Sequence, residues 1–119
     1  MKIAVTAQNA LPESEIDTRF GRARFFLVYD DEKQQWSVLD NKQNLQSAQG
    51  AGIQSAATVV NAGCKVLVGG HCGPKAFAAL SCAGVEVYTI NGGTVSDAVQ
   101  LYKSGKLTKI ESADVEGHW

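Results

Sequence analysis

Two soft-metal ligand types stand side by side in the most chemically suggestive stretch of the chain, where His71 and Cys72 lie between glycines. A thiolate and a neutral imidazole are both common ligands of soft metals. Residues 66–68 before them have the β-branched character of a buried strand, and Pro74 suits the first position of a helix. The pattern predicts a turn from strand to helix that carries a metal site at His71 and Cys72, or else an ordinary turn with an incidental polar pair.

The same turn is suited to binding an anion. Ligands of open α/β sheets bind beyond the carboxyl ends of the strands, and a helix start adds unpaired N–H groups and a partial positive charge. Gly70 and Gly73 leave the backbone open, and Lys75 adds a cation in the first helical turn. We therefore predict that Gly70, Gly73 and Lys75 help to bind an anionic cofactor.

Two further segments offer charge or open backbone. Residues 19–24 read Arg-Phe-Gly-Arg-Ala-Arg and place three guanidinium groups, including that of Arg22, just before a strand. This basic segment either attracts an anion or is a solvated loop with Phe20 packed inward. In the run Gln49-Gly50-Ala51-Gly52, the glycines either let a ligand approach the backbone at Gly52 or only turn the chain.

The remaining cysteines and the second histidine are assigned no ligand role. Cys64 precedes one predicted strand and Cys82 ends the helix that returns from the turn, so both belong at the end of the sheet opposite Cys72. We expect them to be small buried side chains, and His118 to be a solvated tail residue. The neighbouring glycines predict that Cys72 is exposed and reacts fastest with alkylating reagents.

Hydrophobic periodicity predicts three strands followed by alternating helices and strands. The strands are predicted at residues 2–7, 25–30, 36–40, 66–69 and 85–90, and the helices at 52–62, 74–83 and 96–104. Gly63 and Gly84 fit helix C-caps, and Thr94 or Ser96 fits the last N-cap. A meander followed by right-handed crossovers gives one mixed five-stranded sheet in the order 3-2-1-4-5, with strands 1, 4 and 5 parallel. The loops of the predicted site then share one edge.

Composition indicates one globular domain. The chain has 119 residues, 45% of them hydrophobic and 19% charged, which is enough for a single core. The net charge of -1 gives no drive toward nucleic acid or an anionic membrane. No apolar run approaches the about 20 residues needed to span a bilayer. With three cysteines and no signal-peptide pattern, we expect a cytoplasmic protein with free thiols that is a monomer or weak dimer.

Four stretches of the chain carry a family signal, at residues 1–5, 20–23 with 25–30, 69–77, and 84–88 with 92–95. In this combination the chain resembles the dinitrogenase iron–molybdenum cofactor biosynthesis family. That family includes nitrogenase accessory proteins of the X and Y types, the end of the B-type cofactor synthase, and stand-alone proteins. The resemblance covers residues 1–107 as one domain, leaves 108–119 as a tail, and implies a ribonuclease H-like fold.

The resemblance also implies a function. It implies binding of an iron–sulfur, mixed-metal or molybdenum-containing cluster, or of its precursor, with no reaction of the protein's own. Proteins of cofactor assembly and cluster acceptors are the implied partners, whereas no nucleic acid or membrane is. His71 falls where some members of the family have histidine, whereas Cys72 is assigned from its chemistry alone. The alternative is a regulatory or interaction module of the same fold that binds a partner or small anion without a cluster.

A ribonuclease H-like fold also raises the question of a metal-dependent nuclease. Two-metal phosphoryl chemistry needs several carboxylates gathered on the central strands. Residues 3–7 and 66–70 contain neither Asp nor Glu. The sequence therefore argues against a nuclease, and we expect a protein that is not an enzyme.

Overall fold

Two short apolar strands form the centre of the protein because their side chains are buried on both faces. Strand β1 (Lys2–Ala7) buries every residue after Lys2, and β4 (Val66–Gly69) buries all of its residues. They pair in parallel, with Ile3 opposite Val66 and Val5 opposite Val68. Such continuous apolar runs are typical of strands that helices cover on both sides.

The computed structural model describes residues 1–20, 23–41, 51–69 and 72–110, with only the backbone at Ala51. The other strands are β2 (Phe25–Asp30), β3 (Gln35–Asp40), β5 (Glu86–Thr89) and β6 (Thr108–Lys109). In these residues the sheet order is β3-β2-β1-β4-β5-β6. Strands β1, β4 and β5 are parallel, β2 is antiparallel to β1, and β3 is antiparallel to β2. The predicted order and directions of the first five strands are confirmed.

The prediction of five strands is wrong because β6 adds a sixth. Thr108 and Lys109 pair antiparallel with Thr89 and Tyr88 of β5. Beyond them, Ile110 packs against the core, and its N–H donates to the Val87 carbonyl at 2.9 Å. A strand of two polar residues carries no alternation of apolar side chains, so the sequence pattern does not predict it.

Three helices cover the sheet. The helices are α1 (Ala51–Asn61), α2 (Pro74–Cys82) and α3 (Val95–Lys103), each within one residue of its predicted bounds. Helices α1 and α2 contact each other on one face, over a core that includes Ala4, Phe26 and Leu67. Helix α3 covers the other face, over a core that includes Ile3 and Val5. We call these the α1/α2 face and the α3 face.

The strand directions gather the functional loops at one edge of the sheet, as predicted. The carboxyl ends of β1, β3, β4 and β5 lie there, together with the start of β2 and the starts of all three helices. We call this the loop-rich edge. Gly63 and Gly84, with φ of 83° and 78°, end α1 and α2 at the opposite edge in the left-handed conformation that glycine adopts most readily. None of the helices that the structure describes is long and apolar enough to cross a membrane.

Candidate functional site

The turn between β4 and α2 carries the predicted metal pair. Gly70 and His71 lie outside the described residues, so the structure gives no position for the imidazole. Cys72 is described, and it is only 1% exposed. Its thiol donates weakly to the Gly73 carbonyl, with Sγ and the oxygen 3.7 Å apart, and it belongs to the core of the α1/α2 face.

The expected exposure of Cys72 is therefore wrong. A glycine next to a side chain does not by itself expose it, because packing decides which way the side chain turns. Here Cys72 shares a buried cluster with Ala76 of α2 and with Phe20 and Ala23 of the basic segment. If Cys72 binds a metal, its sulfur does so from the buried side of the turn. Its role as a ligand stays a prediction.

The start of α2 faces the loop-rich edge with its positive end. Gly73 is the N-cap residue and Pro74 follows at the first helical position, as predicted. Gly73 provides no side-chain oxygen, and the first turn of α2 contains no acidic residue. Lys75 is exposed in that turn. The helix dipole and the ammonium group therefore add up to a positive potential beside Cys72.

Helix α1 starts beside α2. Its first turn likewise contains no acidic residue, and Gly52 is buried there. One helical turn further on, the hydroxyl of Ser55 donates to the Asn41 side-chain carbonyl at 3.2 Å. Asn41 follows β3 directly, so this bond fixes the start of α1 against the end of that strand. Two parallel helix starts, side by side, strengthen the potential that either makes alone.

The basic segment splits between burial and exposure. Phe20 is 1% exposed, which confirms that it packs inward, and its ring lies 5.4 Å from that of Phe26. Arg19 is exposed and its Nε lies 3.6 Å from an Asp17 carboxylate oxygen. Arg24 lies over the Phe25 ring, 5.6 Å from its centre. The predicted anion ligand Arg22 lies outside the described residues.

The residues on either side of positions 21 and 22 belong to the core. The Ala23 N–H donates to the Phe20 carbonyl at 3.3 Å, and both side chains belong to the core of the α1/α2 face. This face also contains Cys72. Ala23 is linked to α1 through Asn41, whose side chain is hydrogen-bonded to the Ala23 carbonyl and to the Ser55 hydroxyl.

On the α3 side of the loop-rich edge, acidic side chains lie at and near the helix start. Thr94 caps α3, and the Asp97 carboxylate closes a capping box by accepting from the Thr94 N–H at 3.2 Å. Thr94 was one of the two predicted caps, and it is confirmed. The acidic loop around Glu13 and Glu15 is tied to this helix start, since Val95 N–H donates to the Ser14 carbonyl at 2.9 Å. Carboxylates already neutralise the positive end of α3.

A surface groove on the α3 side of the edge is also less favourable to an anion than the α1/α2 side. It measures about 630 Å³ and is lined by Leu11, Glu13, Arg24 and Phe25, among others. Its lining therefore contains an acidic and a basic side chain, those of Glu13 and Arg24. An anion is favoured on the α1/α2 side of the loop-rich edge, where Lys75 and two helix starts meet no acidic residue in the first helical turns.

The remaining cysteines lie at the opposite edge, and only one of them is buried. Cys64 is 2% exposed, whereas Cys82 is exposed, so the prediction of a buried Cys82 is wrong. Within residues 1–20, 23–41, 51–69 and 72–110, no three His, Cys, Asp or Glu side chains are grouped to hold a metal ion.

Asn41 and Thr6 are buried polar residues whose roles the sequence does not reveal. The Thr6 hydroxyl donates to the Asp17 carbonyl at 2.6 Å, and its side chain packs against Gly69. The Asn41 side-chain N–H donates to the Ala23 carbonyl at 2.8 Å. Both residues join segments that are distant in the chain. The only signal for them in the sequence is a polar residue at or next to the end of a predicted strand.

Comparison with known proteins identifies relatives of this chain in sequence and in structure. Residues 1–105 match the family described as dinitrogenase iron-molybdenum cofactor. The apo form of the orange protein from Desulfovibrio gigas is similar in structure, with a TM-score of 0.93 and 36% identity over 96% of each chain. A NifB-like protein from Thermotoga has a TM-score of 0.85 and 31% identity over 98% of each chain. An uncharacterized protein of Methanocaldococcus jannaschii is 28% identical over 93% of this chain and 92% of its own length.

Proposed function

This chain belongs to the dinitrogenase iron–molybdenum cofactor family, and on that premise we propose that it carries an anionic metal–sulfur cluster or a cluster precursor. The cluster is iron–sulfur or molybdenum-containing, and the protein holds it for cofactor assembly or storage without transforming it. We include the ribonuclease H-like assignment of the fold, the cytoplasmic location, and assembly or acceptor proteins as partners in this proposal.

One observation carries the proposal: the charge asymmetry of the loop-rich edge. On the α1/α2 side, two helix starts without acidic residues flank the Cys72 turn, with Lys75 exposed beside them. On the α3 side, Asp97 occupies the helix start. A multiply charged anion gains from unpaired N–H groups and cations, and loses where carboxylates already stand.

The relatives are consistent with a carrier. The Desulfovibrio gigas orange protein is described in an apo form, and the Thermotoga relative is NifB-like. A nuclease would need carboxylates at the ends of the central strands. Strand β1 reads Lys-Ile-Ala-Val-Thr-Ala and β4 reads Val-Leu-Val-Gly, so neither provides one.

Metal and sulfide analysis tests the proposal. The protein is purified without oxygen, and iron, molybdenum, copper and acid-labile sulfide are measured per chain together with the visible spectrum. We expect metal and sulfide in fixed ratio to protein, with charge-transfer absorption, either as purified or after anaerobic reconstitution. A chain that stays free of metal and sulfide under both conditions contradicts a carrier, and supports the alternative of an interaction module without a cluster.

A further inference from the structure

Strand β3 is the last strand on one side of the sheet, and it lacks the features that usually protect such a strand. In the part of the chain that the structure describes, it pairs with β2 alone. It reads Gln-Trp-Ser-Val-Leu-Asp, so its first five residues are uncharged, and its register with β2 contains no bulge. Outermost strands are commonly protected by Lys, proline, a bulge or short length, because their open backbone groups pair readily with another strand. The last strand on the other side, β6, has two residues, and one of them is Lys109.

The hydrogen bonds between β2 and β3 determine which backbone groups of β3 point outward. Asn41 directly follows β3, and its N–H donates to the Arg24 carbonyl at 2.9 Å, so it points toward β2. In a strand, the backbone groups of successive residues point to opposite sides, so those of Trp36 and Val38 point away from β2. These N–H and C=O groups have the direction needed to pair with a further antiparallel strand.

The side chains of the same two residues provide an apolar surface. Trp36 and Val38 are opposite Tyr29 and Leu27 in the register with β2, which places them on the α3 face. Val38 is 44% exposed, because α3 packs mainly against β1 and β4. The centre of the Trp36 ring lies 4.9 Å from that of Tyr29, so the two rings support each other. Packed aromatic side chains of this kind are typical anchors of protein interfaces.

We infer that β3 is a dimerisation surface, and that it pairs with β3 of a second copy of this chain. A two-fold axis that passes between the two copies of Ser37, perpendicular to the sheet, makes the two strands antiparallel and keeps each face of the sheet continuous. Trp36 is then opposite Val38 of the second copy. The outward backbone groups of these residues form hydrogen bonds, and an aromatic side chain packs on a β-branched one. The contact is self-complementary because each copy contributes the same pair.

The charges at the ends of β3 favour this antiparallel arrangement. Lys33 precedes the strand and Asp40 ends it, so the two-fold axis brings the basic end of one strand to the acidic end of the other. In the turn before β3, the Asp31 and Glu32 carboxylates lie 3.0 Å and 3.4 Å from cations of their own chain. The contact closes on itself, so it produces a dimer rather than a filament. Pairing of one short strand is a small contact, so we expect a reversible dimer.

Sedimentation velocity over a series of protein concentrations, from micromolar to millimolar, tests the inference. We expect the parent to shift from monomer to dimer along the series. Val38→Lys should remain monomeric, because it places a charge in the middle of the apolar contact. Ile53→Lys is the matched control, since Ile53 is 43% exposed and belongs to α1, which covers the other face of the sheet. This control makes the same change of side chain and should dimerise as the parent does.

A symmetric disulfide tests the register of the two strands. In the proposed arrangement the two copies of Ser37 form a non-hydrogen-bonded pair, whose Cα atoms lie about 4.5 Å apart and within reach of a disulfide. Ser37→Cys should therefore form a cross-linked dimer under mild oxidation. Gln35→Cys, on the same strand and face, is opposite Leu39 of the second copy and should cross-link more slowly. Both variants also carry Cys82→Ala, because Cys82 is exposed.

The inference goes beyond the proposed function and does not depend on it. A parent that remains monomeric throughout the concentration series overturns the inference. Equal dimerisation of Val38→Lys and Ile53→Lys does so as well, because β3 is then not the contact. Should Val38→Lys not fold, the cross-linking rates decide: faster cross-linking of Ser37→Cys than of Gln35→Cys supports the pairing of two β3 strands, and equal rates contradict it.

Discussion

At the scale of single residues, the buried thiol of Cys64 has a direct consequence for stability. Burial raises its pKa from the ordinary 9.0 to about 11, and the nearby Lys2 ammonium offsets part of this rise. The thiol is 2% exposed and lies in the core of the α1/α2 face. Folding therefore favours the neutral thiol over the thiolate.

This pKa shift predicts a loss of stability at alkaline pH. Between pH 9 and 11 the unfolded chain releases the Cys64 proton while the folded protein retains it, so the free energy of unfolding falls as pH rises. The loss attributable to Cys64 is at most about 2.7 kcal/mol. Urea unfolding across this range should show a steeper decline for the parent than for Cys64→Ala.

Cys82→Ala is the control for this measurement, because Cys82 is exposed. Burial also raises the pKa values of Tyr88 and Tyr102, and the hydrogen bond to Asp31 raises that of Lys103, but these groups titrate alike in all three proteins. If the free energy of unfolding falls equally steeply with pH for the parent and for Cys64→Ala, titration of the buried thiol does not cause the loss of stability at alkaline pH.

The same environments set the order in which the thiols are alkylated. Cys82 is exposed, whereas Cys72 and Cys64 are 1% and 2% exposed. We expect iodoacetamide to label Cys82 first in the native protein, and Cys64 only slowly because it is buried and burial raises the pKa of its thiol. Peptide mapping by mass spectrometry decides the order. Early labelling of Cys72 would mean that its turn opens readily in solution.

The proposed ligands are tested by a double variant. We expect His71→Ala with Cys72→Ala to leave a folded protein that no longer retains metal after anaerobic reconstitution, because direct ligation is lost with the ligand. Arg22→Ala should bind more weakly and respond less to salt, because it removes one cation whose screened attraction to an anion contributes at most about 1 kcal/mol. Metal per chain after desalting is the measurement.

Cys64→Ala with His118→Ala is the matched control. It removes the same two residue types, and Cys64 is buried in the same core as Cys72. This control should retain metal as the parent does. A ligand variant that retains the metal content and spectrum of the parent would place the cluster elsewhere, or would mean that charge and shape alone hold it.

At the scale of elements, the contact between β1 and β4 sets the position of the functional turn. A side chain at Gly69 would place its Cβ 2.9 Å from the Thr6 hydroxyl oxygen. Thr6 has no room to yield, because it is fully buried and its hydroxyl donates to the Asp17 carbonyl at 2.6 Å. The close approach of these strands therefore requires glycine immediately before the turn.

Gly69→Ala should lower the free energy of unfolding by about 1–3 kcal/mol, the usual cost of forcing an extra methyl group into a packed site. Gly92→Ala is the control, because a Cβ there has no atom within 4 Å. Urea unfolding of both variants measures the difference. If the two variants are equally stable, β1 and β4 separate at little cost and the turn is not fixed by Thr6.

The elements that the sequence predicts well are those with strong local patterns. Strand β1 alternates between two covered faces and buries every residue after Lys2, and Gly63 and Gly84 end their helices where glycine at positive φ is needed. Strand β6 has no such pattern, because Thr108 and Lys109 are both polar. Only its pairing with β5 defines it as a strand.

The sequence predicts where the candidate site lies in the fold but not how its side chains are arranged. Strand directions alone put Cys72, Lys75 and the helix starts at one edge. Cys72 is buried in one core cluster with Phe20 and Ala23, and the side chain of Asn41 is hydrogen-bonded to Ala23 and Ser55, all distant in the chain. Such contacts leave no periodic pattern in the sequence, so only the folded structure reveals them.

At the scale of the whole molecule, the sheet divides one edge into two electrostatic environments. Helices α1 and α2 start on one side with no acidic residue in their first turns, and α3 starts on the other side with Asp97. The overall net charge of -1 conceals this division. The anionic ligand of the proposed function would therefore be selected by local fields rather than by the charge of the whole chain.

Backbone NMR during an anaerobic titration with tetrathiomolybdate tests this central claim most directly. We predict that the amide signals of Gly52, Cys72 and Lys75 shift together with added ligand, while those of Thr94 and Asp97 stay in place. Shifts centred on Thr94 and Asp97, or no saturable shift at any of these amides, would contradict the assignment of the anion site to the α1/α2 side of the loop-rich edge.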